Sequence, residues 1–436
     1  MDLSVLKTTI YNSLLELESE DGINASGKEE IYGCIFGRDS AITILKILKA
    51  VSNSSFPEGF EKERLLAMCK KTLLTLVRLQ GSEVNIESGE EPGKFIHEYR
   101  KERFEHLVQS QTPWYIYADG QLKNYDSIDS TPLVLIALYR YWQVTGDEIF
   151  LLSVLDSVEK GLHWIMDYGD RDKDFLLEYE FSPIRTFGGL KVQSWTDSLE
   201  SLLDSTGKMP LYPIAPVEAQ GYAWLALKVW SEYFSSHKRQ RLESKTFPKQ
   251  LVQFAHGMKE RFNDVFILKN GGLFFAAQAL DGNKKQIKTI TGNPLLLLWA
   301  SYGVGERAVS IVHKEYVSDF VKRGFVSDLY DESAGVRTMS SESETFNAGQ
   351  NSYHNGSFWP KLNGMIFEGL LRWGFHDEAL RLKEASLRAI QFFGTPIELY
   401  VKGTDVPFLE YKNEFGQVSC RNQAWSAASV LDMLTE

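Results

Sequence analysis

The sequence predicts an all-α protein in which twelve helices pair into six hairpins and close into an (α/α)6 barrel with minor hairpin insertions. Three observations support this prediction. Apolar residues recur at helical spacing along nearly the whole chain. The helical segments alternate between amphipathic and almost wholly apolar. Polar and aromatic residues collect just before the apolar segments.

The helical periodicity places twelve segments, and we expect helix over more than half of the chain. A further segment, residues 272–290, has the pattern of a hairpin or long loop and is the best candidate for strands. The predicted helices are residues 3–18, 39–51, 60–79, 130–145, 149–168, 216–237, 246–265, 293–301, 306–322, 357–373, 376–393 and 421–435.

The helices alternate in character. Segments 60–79 and 246–265 carry one apolar stripe and one charged face, as outer helices do. Segments 130–145 and 293–301 begin apolar all round, as buried inner helices do. In a barrel of this kind the inner helices run in the same direction. Their N-terminal ends therefore meet at one mouth.

The composition limits the number of domains and the classes of partner that we expect. The chain has 436 residues and a net charge of −11, and no Pro/Gly/Ser-rich linker divides it, so we expect a single domain over residues 1–436. The acidic balance argues against nucleic acid and anionic membranes as partners. No apolar run has transmembrane length, and the acidic N-terminal segment is unlike a signal peptide. The three cysteines are widely spaced, which is typical of a cytoplasmic protein.

The sequence shows no motif for a metal or a cofactor. It contains no HExxH, no cysteine pair, no GxGxxG and no phosphate-binding loop. We therefore expect neither a metal nor a cofactor.

Unusual polar and aromatic residues gather at the openings of the predicted inner helices. For Asn293-Pro294 and Thr131-Pro132, helix capping explains most of the pattern. It explains less well an arginine beside an aspartate or tryptophans in first turns. The candidate residues of the predicted mouth are Arg38, Asp39, His97, Glu98, Asp129, Trp195, Asp197, Glu218, Gln220, Tyr222, Arg337, His354, Trp359, Glu398 and Glu410.

This set of side chains suits one kind of chemistry. Carboxylates, aromatic rings and amides together fit a neutral polyhydroxylated ligand, and two opposed carboxylates suffice to hydrolyse a glycosidic bond. In the segment Gln193–Ser198, the indole of Trp195 would exclude water from Asp197 and raise its pKa. The alternative is that Asp197 caps a helix.

Seven stretches, in order along residues 31–435, resemble the catalytic domain of bacterial amylo-α-1,6-glucosidases, the glycogen-debranching enzymes. More distantly they resemble glucoamylases and the mannosylglycerate and glucosylglycerate hydrolases. These families share a six-hairpin (α/α)6 barrel and invert the anomeric centre. The stretches are FGRDSAIT, EEPGKFIHEYR, YDSIDSTPL with VTGD, VQSWTDS, PIAPVEAQGY, GVRTMSSES with YHNGSFWP, and SCRNQAWSA.

The resemblance implies roles for particular residues. Asp197 corresponds to the general acid, and Arg38 with Asp39 corresponds to the pair that grips the terminal sugar; Arg337 is expected to join them. Two glutamates compete for the general base. Glu410 in FLEYKNEFGQ resembles the base loop of several relatives and is favoured.

Glu398 in PIELY resembles the Pro-Glu-Leu of bacterial debranching enzymes and is the alternative base. His97-Glu98 is either a substrate contact or a structural pair. The remaining candidates are expected to bind substrate.

The function expected is therefore an inverting, exo-acting hydrolase of an α-glucosidic bond in an oligosaccharide or small glucoside. Relatives that act on glycogen often carry an N-terminal β-sandwich domain, whereas here the first helix starts almost at residue 1. Leucines follow Asn293-Pro294, where relatives often have a polar residue. Both features make polymeric glycogen doubtful as the substrate. The alternatives are a glucosylglycerate or mannosylglycerate hydrolase, a non-catalytic sugar-binding protein, and a lyase or epimerase on the same barrel.

Overall fold

The computed structural model describes residues 2–204, 206–237 and 246–436. Thirteen α-helices lie in these ranges. They are α1 (Leu3–Glu16), α2 (Gly37–Val51), α3 (Lys62–Arg78), α4 (Glu105–Val108), α5 (Ser130–Thr145), α6 (Glu148–Trp164), α7 (Val217–Ser236), α8 (Phe247–Val265), α9 (Leu296–Trp299), α10 (Lys314–Gly324), α11 (Pro360–Trp373), α12 (His376–Phe393) and α13 (Ala424–Thr435).

Six helices are buried over most of their length and form a ring. Helix α2 contacts α5, α5 contacts α7, α7 contacts α9, α9 contacts α11, α11 contacts α13, and α13 returns to α2. Nearly every residue of α2, α7 and α13 is buried. A closed order of contacts is what an all-α barrel requires of its inner helices.

The other long helices bury one face against this ring. Helix α3 buries a stripe that includes Leu65 and Leu73, and α8 buries Leu251 and Met258. Helices α3, α6, α8 and α12 pack on α2, α5, α7 and α11, α1 packs on α13, and α10 packs on the 3-10 turn Asn293–Leu295 before α9. The predicted alternation of inner and outer helices is thus present.

Two predicted helices differ from the structure. Segment 293–301 is a 3-10 turn followed by the single turn of α9, because Ala300 leaves the helical conformation and Ser301 enters a strand. Segment 306–322 becomes a helix only at Lys314, because residues 301–310 form a hairpin. Helices α11 and α13 also start about three residues later than predicted. Slightly less than half of the chain is helical, which is a smaller share than expected.

Short antiparallel strands connect the helices in two- and three-stranded sheets. The described strands are β1 (Glu18–Ser19), β2 (Gly22–Ile23), β3 (Ile35–Phe36), β4 (Glu98–Arg100), β5 (Leu122–Asn124), β6 (Ala215–Pro216), β7 (Ile267–Asn270), β8 (Leu273–Ala276), β9 (Ala279–Leu280), β10 (Gln286–Ile287), β11 (Ser301–Tyr302), β12 (Val309–Ser310), β13 (Tyr330–Asp331), β14 (Gly335–Val336), β15 (Tyr400–Lys402) and β16 (Phe408–Glu410).

The predicted strand segment 272–290 contains β8, β9 and β10. Strand β8 pairs with β7, and β9 pairs with both β10 and β6. Its hairpin character is confirmed, although β7 begins before the predicted segment.

One sheet fixes the start of α2. Strand β3 ends directly at Gly37, pairs with β4, and β4 pairs with β5. A Cβ at Gly37 would lie 1.9 Å from the carbonyl oxygen of Ile96. Only glycine allows this close approach, which holds the first turn of α2 against the segment that precedes β4.

The buried apolar residues form one contiguous cluster from Leu6 to Met433. In the part of the chain that the structure describes, no helix combines the length and the apolar character needed to cross a membrane.

Candidate active site

A narrow cavity of about 50 Å³ lies at the N-terminal ends of the inner helices. It brings together eight of the predicted candidates with aromatic and amide side chains from distant parts of the chain. Its wall consists of Tyr32, Phe36, Arg38, Asp39, His97, Trp195, Asp197, Tyr353, His354, Trp359, Glu398, Gln423 and Trp425.

Arg38, in the first turn of α2, organises one wall. One guanidinium nitrogen donates to the Ser194 carbonyl oxygen at 2.7 Å and lies 3.5 Å from Asp129, and another lies 3.1 Å from Asp197 Oδ2. The Asp197 side chain keeps 27% of its surface exposed, toward the cavity. Burial raises the pKa of Asp197 to about 6, and the charge of Arg38 opposes that shift. A carboxyl group in this state is suited to proton donation near neutral pH.

Trp195 is held from several sides. Its Nε1 donates to Asn293 Oδ1 at 3.0 Å, and the rings of His354 and Trp359 pack edge-on with centroids 5.5 and 5.6 Å away. The Lys361 ammonium lies 3.8 Å from the ring centroid, a cation–π distance. The Asn293 side chain therefore holds the indole of Trp195 in place and does not cap a helix.

Lys361 was not among the predicted site residues. It is fully buried in the first turn of α11, and its Nζ has no hydrogen-bond partner in the described ranges. Burial lowers the pKa of Lys361 to about 7. A lysine directly after Trp359-Pro360, at the start of a buried helix, was the available signal. Tyr32 was also missed, because it lies in a loop that no predicted helix opening includes.

Glu398 lines the cavity from a different element, two residues before β15. Only 2% of it is exposed, Tyr353 donates its hydroxyl to Oε1 at 2.6 Å, and the Cys420 backbone N–H donates to Oε2 at 2.9 Å. The Tyr32 and Tyr353 hydroxyls are 3.0 Å apart. Burial raises the pKa of Glu398 to about 7, and the hydrogen bonds from Tyr353 and Cys420 act against that rise.

Glu410 occupies a different environment. It ends β16, opposite Tyr400 in the β15–β16 hairpin, and its carboxylate lies 3.3 Å from Arg421 Nε, whose side chain is 70% exposed. The cavity wall formed by the described residues does not include Glu410. The residue favoured as base from the sequence is thus paired at the surface, and its alternative lines the cavity.

Three further candidates make structural contacts away from this wall. Glu98 pairs with Arg100 within β4, which fits the structural alternative for that carboxylate. Gln220 bonds both backbone groups of Leu177, at 2.8 and 2.7 Å. Arg337 lies 3.5 Å from Asp331.

A second group of candidates lies buried behind the wall. Asp129 accepts hydrogen bonds from Arg38 and, at 2.6 Å, from the Ser127 hydroxyl. Glu218 is fully buried, and neither of its carboxylate oxygens has a hydrogen-bond partner in the described parts of the chain. Burial raises the pKa of Glu218 to about 7. Tyr222 is buried on the same helix, one turn further along.

The two histidines of the wall are uncharged near neutral pH. Burial holds the pKa of both His97 and His354 well below the usual value, and nearby Arg38 adds to the effect. His354 Nδ1 accepts from the Ser198 backbone N–H at 3.3 Å and stacks on Trp359. These contacts make His354 a support for the loop that carries Asp197.

An acidic cluster lies outside the cavity. Asp170, Asp172 and Asp174 lie close enough to share a cation. The Lys284 ammonium lies 2.9 Å from Asp172 and 3.1 Å from Asp174, and it also pairs with Glu178. A lysine of the chain itself therefore offsets part of the negative charge of this cluster.

Comparison with known proteins identifies a family and a shared fold. The model of the family described as amylo-alpha-1,6-glucosidase matches residues 75–432. No curated protein matches the chain in sequence. Among solved structures, the chain is similar to a GH63 mannosylglycerate hydrolase from Thermus thermophilus in complex with glucose, with a TM-score of 0.66 and 14% identity over 98% of this chain and 99% of that one.

Two other solved structures illustrate the range of the likeness. The Thermus thermophilus hydrolase in complex with Tris and D-glycerate gives a TM-score of 0.65 at 14% identity, over 98% and 99% of the two chains. A rhamnosidase from Klebsiella oxytoca with rhamnose bound gives 0.57 at 10% identity, over 98% of this chain and 63% of that one. At these identities the likeness establishes a shared fold.

Proposed function

The chain belongs to the amylo-alpha-1,6-glucosidase family and is a glycoside hydrolase, and from that premise we propose that it is an inverting, exo-acting enzyme that cleaves an α-glucosidic bond in a short oligosaccharide or small glucoside. The catalytic residues in this proposal are Asp197 as general acid and Glu398 as general base, on an (α/α)6 barrel. The observation that carries it is that these two carboxyl groups line one narrow cavity from separate elements.

The reaction follows from the contacts of the two groups. Asp197 protonates the glycosidic oxygen as the bond to the anomeric carbon breaks. Glu398 takes a proton from a water molecule that attacks the opposite face of the sugar, which inverts the anomeric centre. The Tyr353 hydroxyl and the Cys420 N–H both stabilise the ionised form of Glu398.

The other wall residues hold the sugar. Gln423 Nε2 lies 3.4 Å from Asp39 Oδ1, and this carboxylate is placed to accept hydrogen bonds from sugar hydroxyls. The rings of Trp195, Trp359 and Trp425 supply aromatic surface for the apolar faces of the sugar ring. Arg38 fixes Asp197 and Asp129, so its role is to position the acid.

The second candidate function is hydrolysis of mannosylglycerate or glucosylglycerate, since solved structures of that kind share the fold. A glycerate group carries a carboxylate and favours a cationic partner. Among the described wall residues the permanent cation is Arg38, which Asp129 and Asp197 already engage. Both histidines are uncharged. These charges favour a neutral leaving group and hence an α-glucoside of the debranching type.

We also propose a cytoplasmic location, which the free state of Cys34, Cys69 and Cys420 supports. A non-catalytic sugar-binding role is disfavoured, because both carboxyl groups that the hydrolysis needs are present in the cavity.

The stereochemistry of the product tests the proposal. Isomaltose, maltose and glucosylglycerate are each incubated with the protein, and the anomer released in the first minutes is followed by ¹H NMR. We expect β-glucose from isomaltose or maltose, with slower release from glucosylglycerate. The Asp197→Ala variant, purified alongside, controls for contaminating glycosidases. Initial release of α-glucose beyond the share that comes from the reducing-end unit would refute inversion, and a preference for glucosylglycerate would favour the second candidate.

A further inference from the structure

A second and larger cavity, of about 530 Å³, lies at the opposite end of the ring of inner helices. Where the candidate active site opens at the helix N-termini, this cavity opens where α2, α5 and α11 end. None of its wall residues lines the first cavity. They are Leu45, Leu48, Lys49, Ser52, Ile136, Arg140, Gln143, Val144, Leu225, Trp299, Tyr302, Gly303, Val304, Glu368, Leu371, Arg372 and Glu436.

Most of this wall is apolar. Leu45, Ile136, Leu225 and Leu371 supply aliphatic surface, and Trp299 supplies an indole ring. The indole Nε1 donates to Glu368 at 2.9 Å, which holds the ring in place. A concave, largely apolar wall with a few polar groups is typical of a small-molecule site.

Two of the three cations in the wall have carboxylate partners. Arg372 Nη2 lies 2.7 Å from Glu368 and its Nη1 donates to the Ser301 carbonyl oxygen at 2.6 Å. Lys49 lies 3.1 Å from Glu436. These two side chains lie in the last turns of α11 and α2, where a positive charge also offsets the partial negative charge of the helix end.

Arg140 is different. It donates to the Gln143 side chain at 2.8 Å, and no carboxylate lies within ion-pair distance of it in the part of the chain described by the structure. Burial and the nearby charge of Arg372 lower the pKa of Arg140, and the charge of Glu368 opposes that shift. The wall thus carries three positive side chains, Lys49, Arg140 and Arg372, against two negative ones, Glu368 and Glu436.

We propose that this cavity binds a small amphipathic organic monoanion, with its anionic group on Arg140 and its apolar body against Trp299 and the surrounding leucines. The anion supplies the counter-charge that Arg140 lacks. The apolar body removes the exposed apolar wall from water. The site is separate from the active-site cavity, and it does not depend on the reaction assigned there.

The probe is 8-anilino-1-naphthalenesulfonate, which combines one negative charge with an apolar ring system. Its binding to the full chain is measured by isothermal titration calorimetry. The neutral comparison ligand is N-phenyl-1-naphthylamine, which has the same rings without the sulfonate. We expect Arg140→Gln to weaken binding of the sulfonate by about tenfold or more, the size of one lost charge-assisted hydrogen bond. Binding of the neutral ligand should change little.

Two further variants control the test. Arg140→Lys keeps the charge and is expected to restore most of the affinity, which separates loss of charge from loss of folding. Arg388→Gln removes an exposed arginine from the outer helix α12 and should leave binding unchanged. Equal affinity of Arg140→Gln and the parent protein for the sulfonate would overturn the proposal. Equal weakening for the charged and the neutral ligand would overturn it as well.

Discussion

Replacing each candidate base in turn gives the sharpest test of the proposed active site. The two variants are Glu398→Gln and Glu410→Gln, which remove one charge each and preserve side-chain size. If Glu398 activates the water, its loss removes general base catalysis, which is worth about 10²–10⁴-fold in rate. Glu398 is 2% exposed and lines the cavity, whose described wall does not include Glu410.

The expected effect of Glu410→Gln is much smaller. Its partner Arg421 is 70% exposed, and an ion pair of this kind contributes about 0.2–1 kcal/mol. Even if all of that energy were lost from the transition state, the rate would fall about fivefold at most. The two assignments therefore differ by at least an order of magnitude in their predicted consequences.

The assay measures kcat/KM on isomaltose from the glucose released, with thermal unfolding of each variant as the folding control.

A third variant, Glu398→Ala, leaves space for a small anion. We expect added azide to restore turnover of α-glucosyl fluoride by this variant, with β-glucosyl azide as the product. A loss of 100-fold or more in Glu410→Gln, together with a loss below tenfold in Glu398→Gln, would refute the argument from the cavity and return the base role to Glu410.

Two predictions concern the acid. Asp197→Asn should reduce hydrolysis of isomaltose by about 10²–10⁴-fold but reduce hydrolysis of 4-nitrophenyl α-glucoside less, because an activated leaving group needs little protonation; equal losses in steady-state kinetics would point to another acid. The proposed mechanism requires a protonated Asp197 and an ionised Glu398. Because burial raises their pKa values to about 6 and about 7, kcat/KM should follow a narrow bell with its maximum between those values. The charge of Asp129 raises the pKa of Asp197, so Asp129→Asn should move the limb that reports Asp197 to lower pH. A limb that stays in place over pH 4–9 would contradict the coupling between these carboxylates.

The sequence predicted the inner helices well because their signal is local. Segments such as 130–145 are apolar on every side, and only burial among other helices satisfies such a surface. The two helices predicted between residues 293 and 322 were wrong in their bounds, because the spacing of apolar residues does not show the turn that interrupts them. Gly303 and Gly305 adopt positive φ and allow the turn of the β11–β12 hairpin, which interrupts both helices.

The site was predictable where its residues sit at helix openings. Arg38, Asp39 and Trp359 lie in or directly before first turns, so the direction of the inner helices places them at one mouth. The family match over residues 75–432 confirms the resemblance to the family, and the roles of these residues stay predictions. Lys361 needed the structure, because its position over Trp195 is a contact between residues 166 positions apart that no local pattern encodes.

The sequence alone does not decide between Glu398 and Glu410 as the base, because Glu398 lies just before the β15–β16 hairpin and Glu410 at its end. Strand register decides which of them faces the cavity, and a shift of one residue would turn each side chain to the other face. In the structure Tyr400 pairs with Glu410, and the Phe358 and Tyr400 backbones exchange hydrogen bonds at the edge of this hairpin. That register leaves Glu398 before the strand, where the Cys420 N–H and the Tyr353 hydroxyl reach it.

Hydrogen bonding distinguishes the proposed roles of Asp197 and Glu398 better than their pKa values do. Their pKa values, about 6 for Asp197 and about 7 for Glu398, are too close to assign acid and base. Both oxygens of Glu398 accept hydrogen bonds, so a proton on Glu398 would remove the charge that strengthens the bonds from Tyr353 and Cys420. In Asp197 the guanidinium of Arg38 engages Oδ2, and within the described chain no other residue donates to Oδ1. A proton on Oδ1 therefore displaces no donor from another residue and is available to the glycosidic oxygen, which is the arrangement that an acid opposite a base requires.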